Sequence, residues 1–174
     1  MNPMPAAGVW ENGVFRFPIR VYYEDTDLGG MVYHGRYVSF FERVRSESIR
    51  GSAADVGALA GVPVAMGGPL TYVVSRIEIR YHRQALLGDV LIGHTTVKRV
   101  RGAAVEIGQW IDRDGARVAE ADLLVAVVGP DGRPRRWPKA VEECWRRWGA
   151  GGDGEVISSP SLLPSVATGA STGA

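Results

Sequence analysis

The chain has 174 residues, 45% of them hydrophobic and 22% charged, with a formal net charge of +1. That length suits one domain plus an appendage, and the composition suits an ordinary globular domain with a sizeable core. The near-neutral charge excludes a global field for nucleic acid or an anionic membrane. A lone Cys144 excludes an internal disulfide and suits a reducing, cytoplasmic setting, and no stretch approaches the roughly 18 apolar residues that span a bilayer.

In chain order, MNPMPAAGVW has neither a basic start nor an apolar run, so no secretory leader is expected. Residues 1–13 read as a loose lead. From Val14 to Tyr23, Phe15, Phe17, Ile19, Val21 and Tyr23 alternate with Arg16, Arg20 and Tyr22, which predicts a strand with one buried face. Pro18 fits it only where the strand edge is free. Tyr22–His34 is a loop with Glu24, Asp25, Asp27 and the Gly29-Gly30 pair. Gly35–Arg50 reads as a helix, with Tyr37, Phe40, Phe41 and Val44 at the spacing of one buried stripe and Gly51 as its stop. Ser52–Pro69 reads as a glycine-rich loop. Four strands are then expected. In Thr71–Tyr81, Val73, Ser75, Ile77, Ile79 and Tyr81 share one face, and Asp89–Val100, Ala103–Asp112 and Arg117–Val128 follow. Asp114-Gly115 supplies hairpin-turn chemistry, and Pro130-Asp131-Gly132 closes the last strand. Pro138–Trp148 reads as a short helix with Val141, Cys144, Trp145 and Trp148 on one face, and residues 149–174 as a disordered Gly/Ala/Ser/Pro-rich tail. The single domain is therefore expected over 14–148. Strand, long helix, four strands is an α+β order in which one helix is laid across one curved antiparallel sheet of about five strands.

The junction between the acidic loop and the helix is the candidate for chemistry. The first N–H groups of a helix lack internal partners and carry partial positive charge. A carbonyl oxygen placed there is polarised, and is bound better still as it becomes an oxyanion. Asp27 lies just upstream, where the Gly29-Gly30 turn can fold it back to the same point. A carboxylate beside a polarised carbonyl is the minimum kit for acyl transfer to water. The competing reading of Asp27 is a loop acid that caps a turn.

The run D-T-D-x-G-G-x-V-Y-H-x-x-Y at Asp25–Tyr37 resembles the signature of hotdog-fold acyl-CoA thioesterases of the 4-hydroxybenzoyl-CoA thioesterase type, and is most similar to their Tol-Pal-associated branch. The resemblance covers roughly 17–139 and includes Tyr81–Asp89. It implies a hotdog fold and hydrolysis of acyl-CoA thioesters. It makes Asp27 the catalytic base or nucleophile and Asp25 a supporting residue. His34 joins the catalytic set through its N–H, its side chain, or both, and Tyr23 lies near the acid. Gly29, Gly30, Val32, Tyr33 and Gly35 are expected around the substrate. It further implies a homotetramer built from dimers, with cell-envelope association or an acyl carrier protein as further partners. Relatives of this type carry small residues after the histidine, so the long Arg36 departs from them and is expected to alter the pocket mouth.

His34, His82 and His94 have no metal-ligand spacing with Cys144, so no metal is expected, and no cofactor beyond coenzyme A as part of the substrate. No G-x-S-x-G elbow and no P-loop occur. Arg133, Arg135, Arg136 and Lys139 form a basic cluster that is either a solvated loop or a resting place for coenzyme A phosphates. The alternative to an enzyme is a non-catalytic module that binds acyl carriers or envelope partners.

Overall fold

The structure, a computed structural model, describes residues 8–51, 71–137 and 139–149. The expected loop over 52–69, the expected tail beyond 149, residues 1–7 of the lead and the side chains of Val141, Cys144 and Trp145 lie outside the described residues.

Six strands form one antiparallel sheet: β1 (Val9–Glu11), β2 (Val14–Arg20), β3 (Thr71–Tyr81), β4 (Val90–Val100), β5 (Ala104–Arg113) and β6 (Ala116–Val128), in the spatial order β1-β2-β4-β5-β6-β3. Helix α1 (Arg36–Gly51) lies across the inner face. Its predicted stripe of Tyr37, Phe40, Phe41 and Val44 is fully buried against Phe15, Ile19, Leu91, Ile107 and Ile111. The helix approaches β4 closely at Gly93, where a Cβ would stand 2.3 Å from Val44 Cγ2, so this position has no room for a side chain. One buried polar bolt joins the layers: the Gln109 amide donates to the Phe41 carbonyl at 2.9 Å and to Thr95 Oγ1 at 2.7 Å. This is the expected hotdog arrangement.

Three expectations change. The sheet has six strands rather than about five, because Val9–Glu11 of the supposed loose lead forms β1. A left-handed Asn12-Gly13 turn (φ 51° and 75°) folds β1 back onto β2. Trp10 then anchors it, stacking on Trp148 of α2 (Lys139–Gly149) at 5.0 Å and donating to the Ser48 carbonyl at 3.1 Å. Second, β2 ends at Arg20, and Tyr23 is 82% exposed rather than buried on its face. The Asp25 carboxylate accepts the Tyr22 N–H at 2.9 Å and turns the chain into a single 3-10 turn, Tyr23–Asp25. Third, a bulge between Val74 and Arg76 breaks the alternation of β3. Tyr72 and Val74 thereby join Ile77, Ile79 and Tyr81 on the inner face, and Val73 faces out, opposite Ala126.

The two sheet edges differ. At one, β1 covers only Val14–Arg16 of β2 and leaves Pro18 on the uncovered part, which satisfies the condition for a proline there. At the other, β3 runs eleven residues with its outer edge unpaired among the described residues, and Val74 and Ile77 are 44% and 37% exposed.

Candidate active site

Residues 25–33 fold into a miniature hairpin. The Tyr33 N–H donates to the Asp25 carbonyl at 2.9 Å, Thr26 bridges Val32, and the Asp27 N–H donates to the Met31 carbonyl at 2.9 Å. The tip turns because Gly30 takes φ +71° and donates back to the Asp27 carbonyl at 3.0 Å. A Cβ on Gly29 would sit 3.2 Å from Asp27 Oδ1, so this glycine lets the carboxylate close over the turn. The hairpin docks on the 85–88 loop through Val32 N–H to the Ala85 carbonyl at 2.8 Å and Leu87 N–H to the Gly30 carbonyl at 3.3 Å. Asp89 braces that loop by accepting the Leu86 N–H at 2.8 Å and an Arg113 N–H. Partial burial pushes the Asp89 carboxyl up, but these two donors outweigh it and hold it below the usual carboxylate value.

The two acids of the D-T-D run have different environments. Asp25 is 1% exposed. Its Oδ2 accepts the Tyr22 N–H, and its Oδ1 accepts Arg36 Nε at 2.8 Å and Nη2 at 2.6 Å. Arg36, the long residue after the histidine, is turned onto Asp25. A buried carboxylate requires a cation, and the guanidinium folds back to supply it. Asp27 is exposed, and its Oδ1 accepts the Gly29 N–H at 2.8 Å. That is the turn-capping role. Among the described residues Oδ2 has no partner, so one carboxylate oxygen remains available at the hairpin tip.

The backbone donors sort in the same way. The Val32 and Tyr33 N–H groups are spent on Ala85 and Asp25. Those of Arg36, Tyr37 and Val38 close the first tight turn of α1 onto the carbonyls of Tyr33, His34 and Gly35 at 2.8, 3.4 and 3.3 Å. The N–H groups of His34 and Gly35 have no acceptor among the described residues. The peptide between them is fixed from behind, because the Tyr81 hydroxyl donates to the His34 carbonyl at 3.1 Å. The His34 imidazole is exposed, with its ring 4.3 Å from that of Tyr33. A Cβ on Gly35 would meet Tyr33 Cε1 at 2.7 Å, so a side chain there would displace the exposed Tyr33 ring.

The hairpin thus carries the free oxygen of Asp27 two residues from the rung that ends at Tyr33, or about 7 Å along the strand, with the unspent amides just beyond it. Such a set can polarise a carbonyl and deliver a proton acceptor to it. Of the other expected residues, Gly29 and Gly30 form the hairpin tip beside Asp27, and Tyr33 and Gly35 flank His34 at its base. Val32 belongs to the buried core, and its N–H is spent on the Ala85 carbonyl, so it secures the hairpin. No hydrogen bond, ion pair or ring contact joins Tyr23 to Asp27 or His34 among the described residues. In the basic cluster, Arg135 pairs with Asp131 at 2.8 Å and Lys139 with Glu143 at 3.9 Å. Sequence reasoning missed Tyr81, which closes an alternating strand and carries no local sign of a backbone partner 47 residues away.

Residues 29–120 match a family model described as the thioesterase superfamily. The acyl-CoA thioester hydrolase YbgC of Escherichia coli O6:H1 is 38% identical over 130 residues, 74% of this chain and 92% of its own length. The acyl-CoA thioesterase YbgC of Haemophilus influenzae is 39% identical over 133 residues, 76% of this chain and 93% of its own. A crystal structure of a probable thioesterase from Bartonella henselae is 39% identical with a TM-score of 0.61, covering 71% of this chain and 97% of that one.

Proposed function

This chain belongs to the thioesterase superfamily, and we propose that it hydrolyses acyl-CoA thioesters to the free acid and coenzyme A, with Asp27 as the catalytic carboxylate. The observation that carries the reading is the pairing of one unengaged Asp27 oxygen with the two unspent N–H groups of His34 and Gly35. The thioester carbonyl oxygen accepts from those amides. Asp27 takes the proton of a water that attacks the carbonyl carbon. The tetrahedral intermediate collapses, the C–S bond breaks, and the thiolate leaves and is protonated. In the nucleophilic variant Asp27 attacks directly, and water hydrolyses the resulting anhydride. The His34 side chain and Tyr23 assist, Gly29, Gly30, Tyr33 and Gly35 shape the site, and neither metal nor further cofactor enters. The Asp25–Tyr37 motif supports the finer assignment to the 4-hydroxybenzoyl-CoA thioesterase type and its Tol-Pal-associated branch. A cytoplasmic homotetramer that also accepts thioesters of acyl carrier protein belongs to the same proposal.

The test is Asp27→Asn, which keeps shape and one acceptor but removes charge and basicity. On a short acyl-CoA and on benzoyl-CoA, kcat is expected to fall by ~10²–10⁴ with KM little changed. His34→Ala is expected to be milder, since alanine retains the N–H. An active wild type whose Asp27→Asn variant keeps more than about half its kcat removes Asp27 from the mechanism. A wild type that binds these thioesters without turnover is a binding module instead.

A further inference from the structure

Arg36 sits at the first position of α1, the end of a helix where a cation is disfavoured. A solvated arginine there has no physical reason. The residue is explained by what it grips. Its Nε and Nη2 converge on Asp25 Oδ1 at 2.8 and 2.6 Å, while the exposed Glu24 lies farther off at 3.6 Å. Asp25 is itself a junction of three segments. Its other oxygen holds the Tyr22 N–H at the exit of β2, and its own carbonyl is the base rung of the hairpin, accepting the Tyr33 N–H. The side chain of Asp25 is 2% exposed, so the carboxylate needs a partner, and Arg36 is the cation in contact with it among the described residues. Through this contact the two halves of the site are joined by the path Asp27–Thr26–Asp25···Arg36–Gly35–His34. One residue, Thr26, separates the clamp from Asp27, and the nearer unspent amide is that of Gly35, next to Arg36.

We infer that Arg36 is a positioning residue for thioester hydrolysis: its guanidinium, clamped on buried Asp25, fixes the hairpin so that the Asp27 carboxylate faces the free N–H groups of His34 and Gly35. The inference rests on the function proposed above. The planar fork of arginine fixes an orientation that the point charge of lysine does not. A carboxylate displaced by an ångström loses most of its effect on rate while substrate binding persists.

The experiment uses two changes in the full chain: Arg36→Lys, and the paired Asp25→Asn/Arg36→Leu, which leaves no buried charge orphaned. Each is made in the wild type and in Asp27→Asn, and kcat, KM and Tm are measured with butyryl-CoA. The expected result is a fall in kcat of about 10–100-fold in the wild-type background with KM within about threefold. In the Asp27→Asn background the same changes cost less than about twofold more, because the group they position is already gone. A folded paired variant that keeps its kcat overturns the inference. So does a rise in KM at constant kcat, which makes Arg36 a substrate-binding group, or an equal fold-loss in both backgrounds, which makes it a general support of the fold. The proposed function fails separately, through an Asp27→Asn single variant that retains its kcat, and the positioning role then falls with it.

Discussion

Tyr81→Phe removes one oxygen and leaves the aromatic ring in its edge-on packing against Tyr37, 5.4 Å away at 70°. The hydroxyl donates to the His34 carbonyl at 3.1 Å, so it holds the peptide whose other end is the Gly35 N–H and polarises that donor. A half-exposed neutral hydrogen bond of this kind is worth about 0.5–1.5 kcal/mol net. Loss of a whole oxyanion donor costs about 2.7–4 kcal/mol. The variant keeps the donor and loses only its support, so the expected penalty lies in the first range, a fall in kcat of about 3–10-fold. Ground-state binding does not depend on the hydroxyl, and KM is expected to hold within about twofold. The assay is steady-state release of coenzyme A from butyryl-CoA, followed by thiol titration, with a melt to show that Tm is nearly unchanged. An unchanged kcat refutes the assignment of the His34–Gly35 peptide as an oxyanion donor. A fall beyond about 100-fold refutes it differently, by making the hydroxyl a direct partner of the substrate.

Gly30→Ala places a Cβ at φ +71° in open space, so the penalty is backbone strain of about 1 kcal/mol, visible as a Tm drop of a few degrees; equal melting temperatures disprove that strain. His94 carries a pH signature. Burial holds its imidazole below the ordinary 6.5, against the pull of Asp112 and with Arg16 and Arg117 pushing the same way as burial. The fold therefore prefers the neutral ring: its contribution is complete above about pH 6.5 and is lost as pH falls through the lower folded value. Tm is expected to decline from pH 7 to pH 5 more steeply in the wild type than in His94→Gln, and parallel curves disprove the assignment. Light scattering at micromolar concentration is expected to give four copies, and a monomer disproves the assembly.

What the sequence made legible followed from strong periodicity. The stripe of Tyr37, Phe40, Phe41 and Val44 located α1 to within a residue, and the bounds of Thr71–Tyr81 were read correctly. The Asp114-Gly115 turn takes φ 52° and 75°, as two-residue hairpin chemistry requires. Strand β1 was missed because three residues give no period, although Asn12-Gly13 was a hairpin signal in plain view. The face of Val73 was misread because a bulge leaves no trace in composition. In the site, the loop and helix junction was readable, and the resemblance implied different roles for the two acids, but the contacts around each acid were not readable. Asp25 and Asp27 are equally acidic on paper. They differ because Asp25 is buried under Arg36, a contact between segments that no local pattern shows, whereas Asp27 caps its own turn through the Gly29 N–H two residues on.

The unequal sheet edges have a consequence for self-association. A strand edge is a template, and a molecule with two good templates can add copies without limit. Here one side is closed to growth: β1 is three residues long, and the stretch of β2 beyond it carries Pro18, which has no N–H to offer. The other side, β3, offers eleven residues. Among the described residues β3 is the only adequate edge, so pairing through it would end growth at two sheets. The described sheet can be extended once, and its edges offer a fibre no site for a third member.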